Sequence, residues 1–168
     1  MGDIQNVSGD AAIKKINELA GDAKSCMFST NLSKVPFSTR PMAIQEVDEN
    51  GSIWFFSAAD SDKNLEINED ERAQLIFMNN ESYEYLSLYG EAAVIIDEKR
   101  ANELWTPFAK TWFPEGAEDP NLSIIKFTPE YGHYWDVKNN KLVALAKIAV
   151  GALTGQTMDL GIEGSVNP

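Results

Sequence analysis

Arg40 has neighbours that suit it to bind an anion. It lies in the segment 36–47, where the residue pattern predicts a β-strand, and it would share a face of that strand with Ser38. The planar guanidinium group forms paired hydrogen bonds with a phosphate. An exposed strand arginine, or one paired with a carboxylate, would have the same pattern, so Arg40 alone leaves both interpretations open.

A second group of polar residues follows the next expected strand. Ser57 ends that strand, and Ser61 and Lys63 begin a short predicted helix. The N-terminus of a helix attracts anions through its free N–H groups and its positive dipole end. A lysine in the first helical turn is unfavourable against that dipole unless an anion compensates. The alternative is a plain capping turn in which Asp60 or Ser61 caps the helix.

Trp112 is the aromatic residue whose position is most suggestive of a binding role. It lies between Lys110 and a Pro-Glu-Gly turn, which suits a loop that covers a flat ring. Packing in a core or in a dimer interface is the alternative, because large aromatic side chains dominate such surfaces.

The remaining polar residues carry weaker signals. His133, the only histidine, is expected to be a hydrogen-bonded strand residue, and Cys26 a small buried one. The acidic residues between Glu66 and Glu71 are interpreted as a solvated face. No residue offers a convincing general acid or base, and no spacing typical of metal ligands stands out, so we assign neither a catalytic residue nor a metal site.

The elements that would position these residues are mostly strands. A helix is expected to begin near Asp10 and to end at Gly21. The other predicted helices are 61–68, 98–105 with Asp97 as its cap, and 141–151. The predicted strands are 25–30, 36–47, 52–57, 72–78, 84–96, 122–127 and 131–137.

This succession predicts a mostly β protein with helical additions, folded as an antiparallel barrel of six or seven strands. Gly90, inside the long strand 84–96, indicates a bulge or a close backbone approach where the sheet curls. The alternation of strands and helices that builds a dinucleotide-binding parallel sheet is absent, and so is its glycine motif. We expect one domain over 1–168, with a loosely ordered tail from Thr154.

Composition and charge narrow the function further. The net charge of −12 disfavours binding to nucleic acids and to anionic membranes. A single cysteine excludes an intrachain disulfide and suits a reducing cytoplasm. The apolar stretch Leu142 to Leu153 is too short to cross a bilayer, which takes about 20 residues. We therefore expect a soluble cytoplasmic protein.

Taken together, several segments resemble one known family. The similarity covers roughly residues 8 to 150, and the order and spacing of the segments make it specific. These segments are 38–42, 53–57, 61–67, 85–92, 103–105, 110–116, 119–120 and 134–136. They are similar to the FMN-binding split-barrel proteins related to pyridoxamine 5'-phosphate oxidase, and in particular to their general stress protein branch.

The resemblance implies a split-barrel homodimer with two FMN molecules in clefts at the subunit interface. It implies that Arg40, Ser57 and Lys63 hold the FMN phosphate, and that the chain after Arg40 runs beside the isoalloxazine edge. Tyr85 takes the place of a glutamine that contacts the flavin in the oxidase. The residues expected to bind the cofactor are Arg40, Pro41, Met42, Ser57, Ser61, Lys63, Tyr85 and Trp112.

The chain departs from the oxidase itself at two places. It has Asp62 where the oxidases carry a second basic residue, and its end, Gly155 to Pro168, contains no lysine or arginine. Oxidation of pyridoxamine phosphate is therefore not expected. The predicted function is an FMN-binding flavoprotein of redox or stress physiology, either an FMN-dependent oxidoreductase or a non-catalytic FMN store or sensor. A related split barrel that binds a deazaflavin, or a haem through His133, is a further alternative.

Overall fold

The computed structural model describes residues 3–137 and 161–168. In chain order, the strands are β1 (Asp3–Ile4), β2 (Val7–Ser8), β3 (Ser25–Thr30), β4 (Ser38–Val47), β5 (Ile53–Ala58), β6 (Arg72–Asn79), β7 (Glu84–Ile95), β8 (Leu122–Val137) and β9 (Gly161–Asn167). The α-helices among these residues are α1 (Asp10–Ala23), α2 (Asp62–Glu69) and α3 (Glu98–Leu104). Two short 3-10 helices, Pro107–Thr111 and Gly116–Glu118, follow α3.

Six of the strands close into an antiparallel barrel. Their order is β8-β5-β4-β3-β6-β7, and β7 pairs with β8 again to complete the circle. The first half of β8 lies between β5 and β7, whereas its second half lies between β7 and β9. This closure confirms the predicted antiparallel split barrel, with extra strands added at one edge.

Burial alternates along the barrel strands because successive side chains point to opposite faces. The inward residues form the main core with one face of α1, and Phe28, Phe55 and Phe127 are fully buried in it. A second, smaller core covers the outer face of β5 and the start of β8. There Phe56 and Ile124 pack against α3 and the 3-10 helices, with Leu104 and Phe113 among the buried residues.

Gly90 allows the long strand β7 to bend. The pairing between β7 and β8 shifts register between Tyr89 and Gly90, as the predicted bulge requires. A Cβ atom at Gly90 would lie 2.1 Å from the backbone oxygen of Thr128. No side chain fits such a gap, so the prediction of a close backbone approach is confirmed.

Two of the predicted strands are in fact one. The segments 122–127 and 131–137 belong to the continuous strand β8, and Pro129 lies inside it. Proline cannot donate a ladder hydrogen bond, and inside a sheet it is tolerated mainly at edges and bulges. Pro129 is paired with Gly90 at the bulge, where the ladder is already interrupted, so that the missing N–H has little effect.

The expectation of a loosely ordered tail is wrong for its last residues. Strand β9 pairs with β8 on one side and with β1 and β2 on the other, and Val166 is fully buried. Gly164 permits this, because a Cβ atom there would lie 2.0 Å from the backbone oxygen of Gln5. The predicted helix 141–151 and the start of the tail lie outside the described residues.

Helix α1 continues beyond its predicted end at Gly21. It runs to Ala23 and ends with Lys24 in the left-handed conformation, whose N–H group bonds the backbone oxygen of Ala20. Glycine in a helix interior costs about 1 kcal/mol relative to alanine. Burial of Ile16, Leu19 and Ala20 on the face towards the barrel outweighs that cost.

Candidate functional site

A cavity of about 320 Å³ opens between strands β4 and β5 on one side and the 3-10 helix Pro107–Thr111 on the other. Strands β4 and β5 form one wall, the start of α2 closes one end, and the helix Pro107–Thr111 lies opposite. The lining residues are Pro41, Met42, Ala43, Gln45, Phe56, Ser57, Ala58, Lys63, Phe108, Ala109, Trp112, Phe113 and Asn121. The cavity therefore has a polar end at α2 and an aromatic end at the 3-10 helix.

Hydroxyl, amide and ammonium groups form a network at the polar end. Lys63 donates from Nζ to the hydroxyls of Ser57 and Ser61, and the contact with Ser61 measures 3.2 Å. Ser57 donates in turn to Asn64 Oδ1 at 2.7 Å. Asn64 Nδ2 donates to Ser123 Oγ at 2.8 Å, and Ser123 donates to the backbone oxygen of Ser57 at 2.9 Å. Ser61 also caps α2, as the capping alternative predicted.

Lys63 is a buried ammonium group whose hydrogen-bond partners within residues 3–137 and 161–168 are hydroxyl groups. Only 9% of its surface is exposed, and no carboxylate in the described part of the chain lies within ion-pair distance. Burial, reinforced by the positive charge of Arg40, lowers the pKa of Lys63 to about 8, although Glu66 acts in the opposite direction. The buried charge is thus held by neutral hydroxyl groups, an arrangement that an anion would stabilise.

Arg40 lies next to this network but outside the cavity lining. Its Nη2 donates to Glu66 Oε2 at 2.7 Å, and its Nη1 donates to the hydroxyl of Thr30. Burial would raise the pKa of Glu66, but hydrogen bonds from Thr30, Ser38 and Arg40, together with the charge of Arg40, lower it to about 2. The carboxylate-paired interpretation of Arg40 therefore holds for this structure.

The aromatic end of the cavity is open to solvent. Trp112 and Phe108 are 59% and 64% exposed, and their rings meet edge to face at a centroid distance of 4.9 Å. Behind them Phe113 is buried against Phe56. Two adjacent exposed aromatic rings beside a cavity form a surface suited to a flat ring.

Tyr85 and His133 lie away from the cavity. Tyr85 is paired across the strands with Trp135 and Met78, on the outer face of the barrel. The ring of His133 packs against that of Trp135 at a centroid distance of 4.6 Å and an interplanar angle of 57°, and its Nε2 lies 3.7 Å from a carboxylate oxygen of Glu163. The chain therefore brings Pro41, Met42, Ser57, Lys63 and Trp112 into one cavity with Ser61 and Arg40 beside it, but not Tyr85.

Three residues of this region were missed by the sequence analysis. Glu66 was assigned to a solvated face, whereas it is partly buried and accepts three hydrogen bonds. A signal was available, because Glu66 follows Lys63 by three residues and so shares its helix face. Asn64 and Ser123 carry no comparable signal, since their contact joins residues that are 59 positions apart.

Cys26 is buried at the inner face of β3, and burial raises the pKa of its thiol. No cluster of three metal-binding side chains occurs within residues 3–137 and 161–168. Across the same residues, none of the helices combines the length and the apolar character needed to cross a membrane.

Comparison with known proteins gives consistent matches. The family described as "Pyridoxamine 5'-phosphate oxidase like" matches residues 11–159. Protein bli-3 of Neurospora crassa is 26% identical over 156 residues, which cover 85% of this chain and 75% of that protein.

Solved structures show the same fold. A candidate general stress protein 26 from Jannaschia sp. CCS1 superposes with a TM-score of 0.78 at 26% identity, over 95% of this chain and all of that one. The general stress FMN/FAD binding protein of Xanthomonas citri superposes with a TM-score of 0.64 at 23% identity, over 74% of this chain and 87% of that one.

Proposed function

The chain belongs to the pyridoxamine 5'-phosphate oxidase-like family, and on that premise we propose that it binds FMN in the cavity beside α2. The observation that carries the proposal is Lys63, a buried ammonium group held by the hydroxyl groups of Ser57 and Ser61. The donor set fits a phosphate, because it combines this charge with Ser57, Ser61 and the N-terminus of α2. The description of the Xanthomonas citri protein as FMN/FAD binding supports a flavin ligand.

The two ends of the cavity would take different parts of the cofactor. The phosphate would be bound by Lys63, Ser57 and Ser61, with Arg40 adjacent. The flat ring would lie towards Pro41, Met42 and Trp112, where the lining is apolar and aromatic. Bound FMN supplies hydride or electron transfer, and the protein contributes binding, orientation and the exclusion of water.

Two observations bear on which activity is proposed, the carboxylate at position 62 and the location of His133. Asp62 is the first residue of α2, so a carboxylate stands where the oxidases carry a basic residue. We therefore propose a flavoprotein of the general stress protein type rather than a pyridoxamine phosphate oxidase. His133 lies on the outer face of β8, away from the cavity, and so does not favour a haem there.

An exposed apolar surface supports a second part of the proposal, a homodimer. On the outer face of the barrel, Pro41 is paired with Met27 and Met27 with Ile76. Met27 and Ile76 are 39% and 42% exposed. Pro41 also lines the cavity, so a second copy seated on this surface would reach the cofactor. Tyr85 lies on the same outer face, so in such a dimer it would be near the flavin.

The absorption spectrum of the purified protein tests the cofactor. We expect flavin bands, and retention of FMN in preference to FAD. Bleaching of these bands by NADH or NADPH would indicate an oxidoreductase, whereas a stable spectrum would indicate a store or sensor. A colourless protein that fails to bind added FMN would falsify the proposal.

The substitution Ile76→Glu tests the dimer. It places a charge on the apolar surface, so we expect a monomer in sedimentation experiments and weaker FMN binding. Ile96→Glu is the matched control, because Ile96 is 82% exposed and lies outside this surface. If the Ile76 variant stays dimeric, or binds FMN as a monomer with unchanged affinity, the cofactor does not lie at such an interface.

A further inference from the structure

Glu66 lies at the meeting point of three elements beside the cavity. It projects from α2, and its carboxylate accepts hydrogen bonds from Thr30 at the end of β3 and from Ser38 and Arg40 on β4. The contact with Ser38 measures 2.7 Å, as does the contact with Arg40. Its side chain is only 17% exposed, so the carboxylate is held in place from several sides.

These contacts fix the guanidinium group of Arg40. An arginine has five N–H donors in a rigid fork. Two contacts hold this fork, one to Glu66 and one to the hydroxyl of Thr30, and Thr30 itself donates to Glu66. The triangle of Arg40, Thr30 and Glu66 therefore sets the plane of the guanidinium while leaving other N–H groups for a further acceptor.

Glu66 also offsets the electrostatic repulsion between the positive charges of Arg40 and Lys63. Arg40 and Lys63 are close enough for Arg40 to lower the pKa of Lys63, and Glu66 raises it. In the described part of the chain these are the charged groups that act on Lys63, Arg40 from β4 and Glu66 from the same helix. A site with two cations and no nearby carboxylate would release a proton from Lys63 at lower pH, and would lose the charge that attracts a phosphate.

We propose that Glu66 is a positioning residue of the phosphate site, which fixes Arg40 beside Lys63 without itself contacting the anion. The inference rests on the proposed binding of FMN at this cavity. It assigns a role to a carboxylate that would otherwise only weaken an anion site by repulsion. It also explains why a negative group is tolerated there, since three donors stabilise its charge.

Two variants separate the charge of Glu66 from its hydrogen bonds. Glu66→Gln keeps an oxygen that can accept from Arg40 and an amide that can donate to Ser38, but removes the charge. Glu66→Ala removes both. Glu46→Gln is the matched control, because Glu46 also accepts from an arginine, Arg100, at 3.0 Å.

The dissociation constants of FMN and riboflavin are to be measured for each protein, with thermal unfolding as a check on the fold. Riboflavin lacks the phosphate and so reports on the ring alone. For Glu66→Ala we expect FMN affinity to fall by roughly tenfold or more, with riboflavin affinity nearly unchanged. For Glu66→Gln we expect a smaller loss near pH 6.5 and a larger one near pH 8, because Lys63 then loses its proton at lower pH. The Glu46 control should leave both affinities unchanged.

The outcomes distinguish the two proposals. If the unaltered protein prefers FMN to riboflavin and Glu66→Ala keeps that preference, the role of Glu66 is wrong while FMN binding stands. Equal losses for FMN and riboflavin would mean that Glu66 serves only the fold. An unaltered protein that binds FMN no better than riboflavin would contradict the phosphate site itself, and the role of Glu66 with it.

An NMR titration of the Lys63 ammonium group without ligand should show a lower midpoint in Glu66→Gln. An unchanged midpoint would contradict the electrostatic effect of Glu66 on Lys63.

Discussion

Lys15 and Lys63 are both largely buried, and their surroundings are opposite. Lys15 on α1 donates to Asp136 at 2.8 Å and lies 3.4 Å from Glu18. Burial opposes its charge, but the hydrogen bond and the negative charges outweigh this effect and raise its pKa. Lys63 donates to the hydroxyls of Ser57 and Ser61, and burial lowers its pKa to about 8.

The difference separates a charge that stabilises the fold from a charge suited to a ligand. Lys15 joins α1 to the second half of β8, and its Nζ also lies 5.3 Å from the ring centre of Tyr134. The carboxylates that compensate its charge, Asp136 and Glu18, belong to the protein itself. Lys63 faces a cavity and has no carboxylate within ion-pair distance among the described residues, so an anion that enters the cavity would stabilise its charge further.

Replacement of Lys63 should produce the largest effect of this comparison. Lys63→Met keeps the length of the side chain and removes the charge, so we expect FMN affinity to fall roughly 100-fold in fluorescence titrations. Thermal stability should stay level or rise, because no internal ion pair is broken. Trp112→Ala is the useful control, since a residue that contacts the ring should weaken FMN and riboflavin equally. Retained FMN affinity in Lys63→Met would place the phosphate elsewhere.

Replacement of Lys15 should show the reverse pattern. Lys15→Met leaves the partly buried Asp136 without its charged donor, and we expect a loss of about 2 kcal/mol in the free energy of unfolding. Denaturant titrations measure this loss, and the FMN affinity of the folded variant should not change. A variant with normal stability would show that the pair Lys15–Asp136 contributes little.

The pH dependence of FMN binding should show the smallest of these effects. Lys63 is charged below pH about 8, so affinity should fall by up to about tenfold per pH unit above that value. It should also fall below pH about 6, where the phosphate dianion takes up a proton and loses one negative charge. The stability of the ligand-free protein should change with pH in the opposite direction. The pKa of Lys63 is lower in the folded than in the unfolded chain, so its buried charge disfavours folding below pH 8. This cost is relieved as the pH rises towards 10.5. Affinity that is constant from pH 7 to 10 would contradict a direct contact.

Local signals predicted much of the chain correctly. Asp97 caps α3 through Arg100 N, and β3 begins and ends where its β-favouring residues do. The placement of Lys63 in the first turn of α2 also followed from the sequence, because the capping residue Ser61 lies two positions before it. These features depend on neighbours within one turn or one strand, which the sequence displays directly.

The incorrect predictions share a different cause. Strand β8 was predicted as two strands, 122–127 and 131–137, and the last residues were predicted to be a loose tail, because neither segment carries a local signal for its partner strand. Glu66 was assigned to the solvent for the same reason, since its donors Thr30 and Ser38 are 36 and 28 positions away. Interactions over such distances depend on the closure of the barrel.

The sequence by itself determined the barrel class, the position of the helix that Ser61 caps, and the residue types of the candidate anion site. Tertiary structure alone decided how those residues act. It paired Arg40 with Glu66, placed Lys63 at the polar end of a cavity whose aromatic end is Trp112, and separated Tyr85 from that cavity. The physical reason is that residue type fixes what a group can bind, whereas the charge it retains depends on which partners folding brings within hydrogen-bond distance.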